Sequence, residues 1–119
     1  MTKNAICYVE WSCTDLGRTR AFLAGLFDWQ FEPSGEDYLI IRVPAGPGGG
    51  VQKVDDVQPG ASPVVYVEVD EIEDYLRRTK ELGGVVAIEK TEIPTLGWYA
   101  LIKDPDGNTI GLYGDHGQE

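Results

Sequence analysis

The sequence predicts an α+β chain of two βαβββ modules, with mixed sheets forming a cup-shaped cleft and a helix on each outer face. Three observations carry that prediction. The tripeptide Tyr-Val-Glu occurs twice, at Tyr8-Val9-Glu10 and at Tyr66-Val67-Glu68, about half the chain length apart. Each copy lies in an apolar run that alternates with the period of a strand. Each is followed by an acidic residue, a helix-like stretch and then three shorter strand-like runs. A unit that cannot bury its own apolar face needs a twin, so a repeat of this kind is the strongest single guide to fold.

Ile6 to Ser12 reads as the first strand, with Cys7, Val9 and Trp11 on one face and Tyr8 and Glu10 on the other. Thr14 or Asp15 caps a helix running to about Phe27, whose apolar stripe is Ala21, Phe22 and Leu26. Trp29 to Phe31 is a short strand and Tyr38 to Val43 a clearer one. The glycine- and proline-rich run from Pro44 to Gly50 is a turn before the short strand Val51 to Lys53. Val64 to Asp70 begins the second module, and a helix follows from about Glu71 to Leu82, stopped by Gly83-Gly84. Val85 to Glu92, Trp98 to Lys103 and Thr109 to Tyr113 are its remaining strands, with a tight turn at Asp104 to Asn108. The whole reads as a single domain over residues 1–119: module one at 5–54, a linker at 55–62, module two at 63–114 and a polar tail at 115–119.

A chain of 119 residues is long enough to bury a core without staples. Its formal net charge of −10 disfavours nucleic acid as a partner. No stretch approaches the roughly 18 apolar residues of a membrane span. The start Met-Thr-Lys-Asn lacks the features of a secretory signal, so a cytoplasmic location is expected. Cys7 and Cys13 do not have the spacing of a thiolate metal motif; they are expected as a buried and a partly exposed thiol, respectively. The lone histidine, His116, falls in the polar tail, which removes Ser-His and Cys-His nucleophilic arrangements.

On these residues the chain resembles the vicinal oxygen chelate superfamily, which includes glyoxalase I, bleomycin-resistance proteins and extradiol dioxygenases. The similarity rests on Glu10 with Asp15-Leu16 and Phe22, on Tyr66 to Asp70, and above all on the run from Gly97 to Tyr113 containing Asp104-Pro105-Asp106-Gly107-Asn108. In metal-using members, four inward side chains hold a divalent cation that chelates two adjacent substrate oxygens. Carried onto this sequence, the first position falls on Tyr8 and the second-module histidine on Val64 or Tyr66. The closing-strand glutamate falls on Gly111, and the remaining position lies within Gly49 to Gln52, where Gln52 has a ligating side chain. Because a catalytic metal wants about three His, carboxylate or thiolate ligands, the resemblance implies that the usual metal site is absent and that no cofactor is held. Glu10 and Glu68 with Gln52 could instead serve a hard cation such as Mg or Mn.

The first functional expectation is a metal-independent protein that sequesters or senses a small organic ligand. Its pocket would be lined by Tyr8, Glu10, Gln52, Tyr66, Glu68, Gly111 and Tyr113, offering aromatic walls and a few polar groups. The alternative is a glyoxalase-like lyase or isomerase in which Glu10 or Glu68 is the general base, with or without a divalent metal. A third is an accessory domain that mainly self-associates. Relatives in the superfamily commonly form dimers, so a homodimer is expected, with no membrane partner.

Overall fold

A computed structural model of the chain describes residues 2–58 and 60–115. The elements are β1 (Ile6–Cys13), α1 (Leu16–Phe27), β2 (Gln30–Pro33), β3 (Tyr38–Arg42) and β4 (Gly49–Lys53), then β5 (Val64–Glu68), α2 (Ile72–Glu81), β6 (Val85–Ile93), β7 (Gly97–Lys103) and β8 (Thr109–Gly114). The fold is α+β, and the order is βαβββ twice. The chain divides into two compact units, Tyr8–Val64 and Met1–Cys7 with Val65–Glu119. The expected tail histidine, His116, lies outside the described residues, as does Pro59 of the expected linker.

In the unit Tyr8–Val64 the strands run in the order β2-β3-β4-β1. β1 and β4 are parallel, and β3 is antiparallel to both of its neighbours. Residues of alternate parity therefore fall on opposite faces. One face carries the apolar cluster of Cys13, Leu39, Ile41 and Val51, with Trp11, Leu16, Trp29, Phe31 and Val43 packed around it. Asp15 caps α1 over this face by accepting a hydrogen bond from the Arg18 N–H at 3.0 Å.

Three expectations for this unit and for Cys7 of the other are corrected. The inward residues of α1 are Leu16 and Leu23, one heptad apart, whereas Ala21 is exposed and Phe22 and Leu26 are 64% and 61% exposed. Apolar residues occur almost all around this helix, so periodicity alone gives it no unique buried face. The two thiols are also reversed. Cys13 is buried in the cluster beside Leu16, while Cys7 is half-buried and its Sγ faces the Tyr66 carbonyl oxygen at 3.7 Å. Finally, β4 begins inside the run expected as a turn. The Val9 N–H donates to the Gly48 carbonyl at 3.1 Å, and a Cβ at Gly49 would strike the Val9 carbonyl. Glycine there lets β1 and β4 approach, which is why a turn-like composition forms a strand.

In the other unit the order is β5-β8-β7-β6, with β5 and β8 parallel and the remaining pairs antiparallel. Its core is Val69, Ile72, Leu76, Ala100 and Leu112, so α2 presents Ile72 and Leu76, four residues apart, to the sheet. Glu73 and Asp74 lie in the first turn of α2 and Arg78 and Lys80 in the last, the arrangement a helix dipole favours. Gly83, at φ +94°, follows the helix in a conformation that suits glycine. The Asp104 carboxylate accepts hydrogen bonds from the backbone N–H groups of Asp106 and Asn108 and from the Asn108 amide. These bonds, with Asn108 foremost, hold its carboxyl below the usual range. The most family-like segment of the sequence is thus a hairpin clasp between β7 and β8.

Candidate functional site

The polar face of the unit Tyr8–Val64 is assembled by strand parity. Tyr8, Glu10 and Ser12 alternate along β1; Gly50 and Gln52 follow on β4; Tyr38 stands across from Gln52 on β3. The register sets Glu10 beside Gly50 and Ser12 beside Gln52. With no side chain at Gly50, the hydroxyls of Tyr8 and Tyr38 converge above the strand, where a Cβ would collide with both. Tyr38 Oη donates to Glu10 Oε2 at 2.9 Å and is hydrogen-bonded to Tyr8 Oη. A phenol has one proton, so with Tyr38 donating to a carboxylate, Tyr8 is the donor to Tyr38. Two residues along, Gln52 Nε2 donates to Ser12 Oγ at 3.2 Å, and the Ser12 N–H donates to Ser62 Oγ at 2.9 Å.

Burial sets the protonation behaviour of this chain. It pushes the Glu10 carboxyl above the usual carboxylate range, and the Tyr38 hydroxyl draws it part of the way back. Burial likewise pushes the Tyr38 phenol up, with the hydrogen bond to Tyr8 and the charge of Glu10 adding to the effect. The Tyr8 phenol is raised by burial, and its hydrogen bond to Tyr38 opposes the rise. Both phenols are therefore held protonated as donors, while Glu10 can exchange a proton nearer neutrality than an exposed carboxyl.

The other unit carries Tyr66, Glu68, Gly111 and Tyr113 on the paired strands β5 and β8, with Tyr66 opposite Gly111 and Glu68 opposite Tyr113. The Tyr66 ring occupies the space a side chain at Gly111 would need. Tyr113 Oη donates to the Leu96 carbonyl at 2.9 Å. Burial raises its phenol, and Asp115, Cys7 and Glu68 add to that. A Glu68 oxygen accepts the Thr2 N–H at 3.4 Å. The two Tyr-Val-Glu copies thus differ: Glu10 is bonded to a half-buried phenol, and Glu68 to an exposed backbone amide.

The expected site residues fall into two sets. Tyr8, Glu10 and Gln52 share one face of the first unit, and Tyr66, Glu68, Gly111 and Tyr113 lie on β5 and β8 of the second. Tyr38 is the residue the sequence reading left out of the site. Its signal was present in the even-numbered face of β3, but placing it opposite Gln52 required the length of the Pro44–Gly48 connection, which the misplaced start of β4 obscured.

These residues do not fit a divalent cation of the superfamily type. On the first face the single carboxylate is bonded to Tyr38, the phenols are held protonated, and the Gln52 amide donates its N–H to Ser12. On the second, the glutamate position is Gly111 beneath the Tyr66 ring. Among the described residues no three His, Cys, Asp or Glu side chains are grouped so that they could hold a metal ion.

A family model described as a glyoxalase-like domain matches residues 8–113. The chain belongs to this glyoxalase-like family. Solved structures agree at the level of fold. One is a glyoxalase/bleomycin resistance protein/dioxygenase superfamily member from Vibrio splendidus 12B01, with TM-score 0.71 and 14% identity over 95% of this chain and 100% of that one. The Mn(II)-bound glyoxalase from Novosphingobium aromaticivorans matches with TM-score 0.70 and 19% identity, over 95% of this chain and 39% of its own. Methylmalonyl-CoA epimerase from Mycobacterium tuberculosis gives TM-score 0.67 and 14% identity, over 97% and 91%. No curated protein sequence matches the chain. The glyoxalase-like fold therefore sits within the vicinal oxygen chelate superfamily, as the sequence resemblance implied. Among the described residues no helix is long and apolar enough to cross a membrane.

Proposed function

We propose that this glyoxalase-like protein is a metal-independent binder of a small organic ligand, with Tyr8, Tyr38 and Glu10 as its principal recognition group. The observation that carries the reading is the chain of hydrogen bonds from Tyr8 through Tyr38 to Glu10, laid over the bare backbone of Gly50. Glu10 Oε2 accepts from Tyr38, and an ionised carboxylate keeps further acceptor capacity for a ligand. A half-buried carboxylate flanked by phenols suits a flat molecule bearing a cationic or N–H donor group, stacked on the rings and paired with the acid. The net charge of −10 favours the approach of such a cation. Gln52 extends the polar rim, while Tyr66, Glu68, Gly111 and Tyr113 offer a second face of the same character.

Screening of cationic aromatic compounds by ligand-observed NMR tests the proposal, with Glu10→Gln and Glu68→Gln compared on each hit. Glu10→Gln is expected to weaken binding by about tenfold or more through loss of a charge-assisted hydrogen bond. Hits that bind Glu10→Gln as tightly as wild type would remove Glu10 from the site.

The raised Glu10 carboxyl favours one second reading, in which it moves a proton on a carbon acid while a tyrosine hydroxyl steadies the enolate. Incorporation of solvent deuterium into a bound ligand, lost in Glu10→Gln, is its signature. A pH–rate profile flat across the range in which Glu10 titrates would rule it out.

A further inference from the structure

The opposite face of the same sheet holds a separate feature. Val9 and Trp11 point away from Glu10 by strand parity and line a cavity of about 330 Å³, walled by Trp29 and Ile41 and edged by Pro44 and Pro47. Its origin is visible in the register. Val9, Gly49, Ile41 and Phe31 stand in one row across β1, β4, β3 and β2, and Gly49 contributes no side chain to that row. None can be supplied, because a Cβ at Gly49 would run into the Val9 carbonyl. α1 is anchored over the neighbouring part of this face, where Leu16 packs on the cluster containing Cys13 and Val51. The close approach of two strands thus leaves a hole in an otherwise packed apolar layer.

The geometry points to a second binding site in this cavity, for a neutral aromatic or branched aliphatic group of bicyclic size. No charged side chain lines it, and among the lining residues only Trp11 and Trp29 carry a polar side-chain atom. A charged ligand would be desolvated there without a partner, so the occupant is neutral. An apolar cavity of about 150 Å³ is enough to take benzene; this one has room for two fused rings. Access is built in the same chemistry. Phe27, 50% exposed, contacts Trp29 at 4.9 Å between ring centroids, and Trp29 lies 6.0 Å from Trp11. Aromatic surface therefore leads from solvent to the cavity wall. The exposed Pro44, Ala45 and Pro47 form the rim. The site is independent of the Glu10 face, and its ligand class differs.

Titration of isotope-labelled protein with naphthalene, followed by amide and indole NMR signals, tests the assignment. Saturable shifts are expected at Val43 to Gly49, at Val9 to Trp11 and at the indoles of Trp11 and Trp29, with Tyr38 and Gln52 unmoved. Ala45→Trp, a change at an exposed rim position, should weaken binding at least about tenfold while leaving the spectrum outside the loop unchanged. Pro47→Trp provides the same block from the other side of the rim. Glu10→Gln should bind naphthalene as wild type does. Absence of saturable shifts, shifts centred on the Glu10 face, or full binding in both rim variants would overturn the assignment. So would movement of the cavity signals on simple dilution without naphthalene, which would show a second copy of the chain as the occupant.

Discussion

Replacing Tyr38 with phenylalanine removes one oxygen from the centre of the polar chain and leaves the ring in place. In the structure that oxygen donates to Glu10 at 2.9 Å and bonds Tyr8. A hydrogen bond to an ionised group contributes about 1.5–3 kcal/mol and a neutral one about 0.5–1.5 kcal/mol. Half-burial favours the lower part of each range, giving a cost of roughly 2 kcal/mol with Glu10 charged and roughly 1 kcal/mol with it protonated. The sign with pH follows from burial. The folded Glu10 carboxyl titrates above its ordinary value of 4.5, so the folded state holds a proton the unfolded chain has released. Stability is full below that ordinary value and falls as pH rises through the folded one. Tyr38 restrains the fall, since its hydroxyl lowers the Glu10 carboxyl; Tyr38→Phe makes it steeper. Urea unfolding at pH 4 and pH 8, in wild type, Tyr38→Phe, Glu10→Gln and the double variant, reads the difference. A cost larger by about 1 kcal/mol at pH 8 shifts the urea midpoint by roughly 0.5 M more, and that excess should vanish in the Glu10→Gln background. An equal cost at both pH values, or one indifferent to Glu10→Gln, would refute the hydrogen-bonded carboxylate.

Three further outcomes are expected. Gly50→Ala should destabilise by about 1–3 kcal/mol, because its methyl lands on both tyrosine hydroxyls, and a thermal melt together with ligand screening would record lost stability and lost binding. Leu23→Ala should cost about 2–4 kcal/mol in urea unfolding and Phe22→Ala under about 0.5 kcal/mol, which separates the buried side of α1 from its exposed apolar side. Calorimetric titration with Mg, Mn, Ni and Zn should give no stoichiometric binding; one tightly held ion per chain would mean that Glu10 or Glu68 has built a site by a rearrangement absent from this structure.

The polar faces were readable in the sequence because strand parity is local. Once Tyr8 and Glu10 share a face, so do Tyr66 with Glu68 and Gly111 with Tyr113, and the observed register sets these two pairs side by side. The turn Asp104 to Asn108 was equally legible, since its hydrogen bonds are made within five residues. What failed depended on distant partners. The buried side of α1 is chosen by the sheet beneath it, and the depth of Cys13 by Leu39, Ile41 and Val51 arriving from β3 and β4. The partnership of Tyr38 with Glu10 is set by hairpin register, which composition around Pro44 to Gly50 disguised. That Glu10 and Glu68, alike in their tripeptides, have different partners could not be seen from either copy.

The ring of Tyr66 resting in the space of Gly111 also bears on history. The resemblance places the superfamily's closing-strand glutamate at Gly111, yet no larger side chain enters there while Tyr66 keeps its rotamer. A lineage acquiring a carboxylate there must move or replace the Tyr66 ring. The glycine and the tyrosine are thus coupled, and what either position can accept depends on the other.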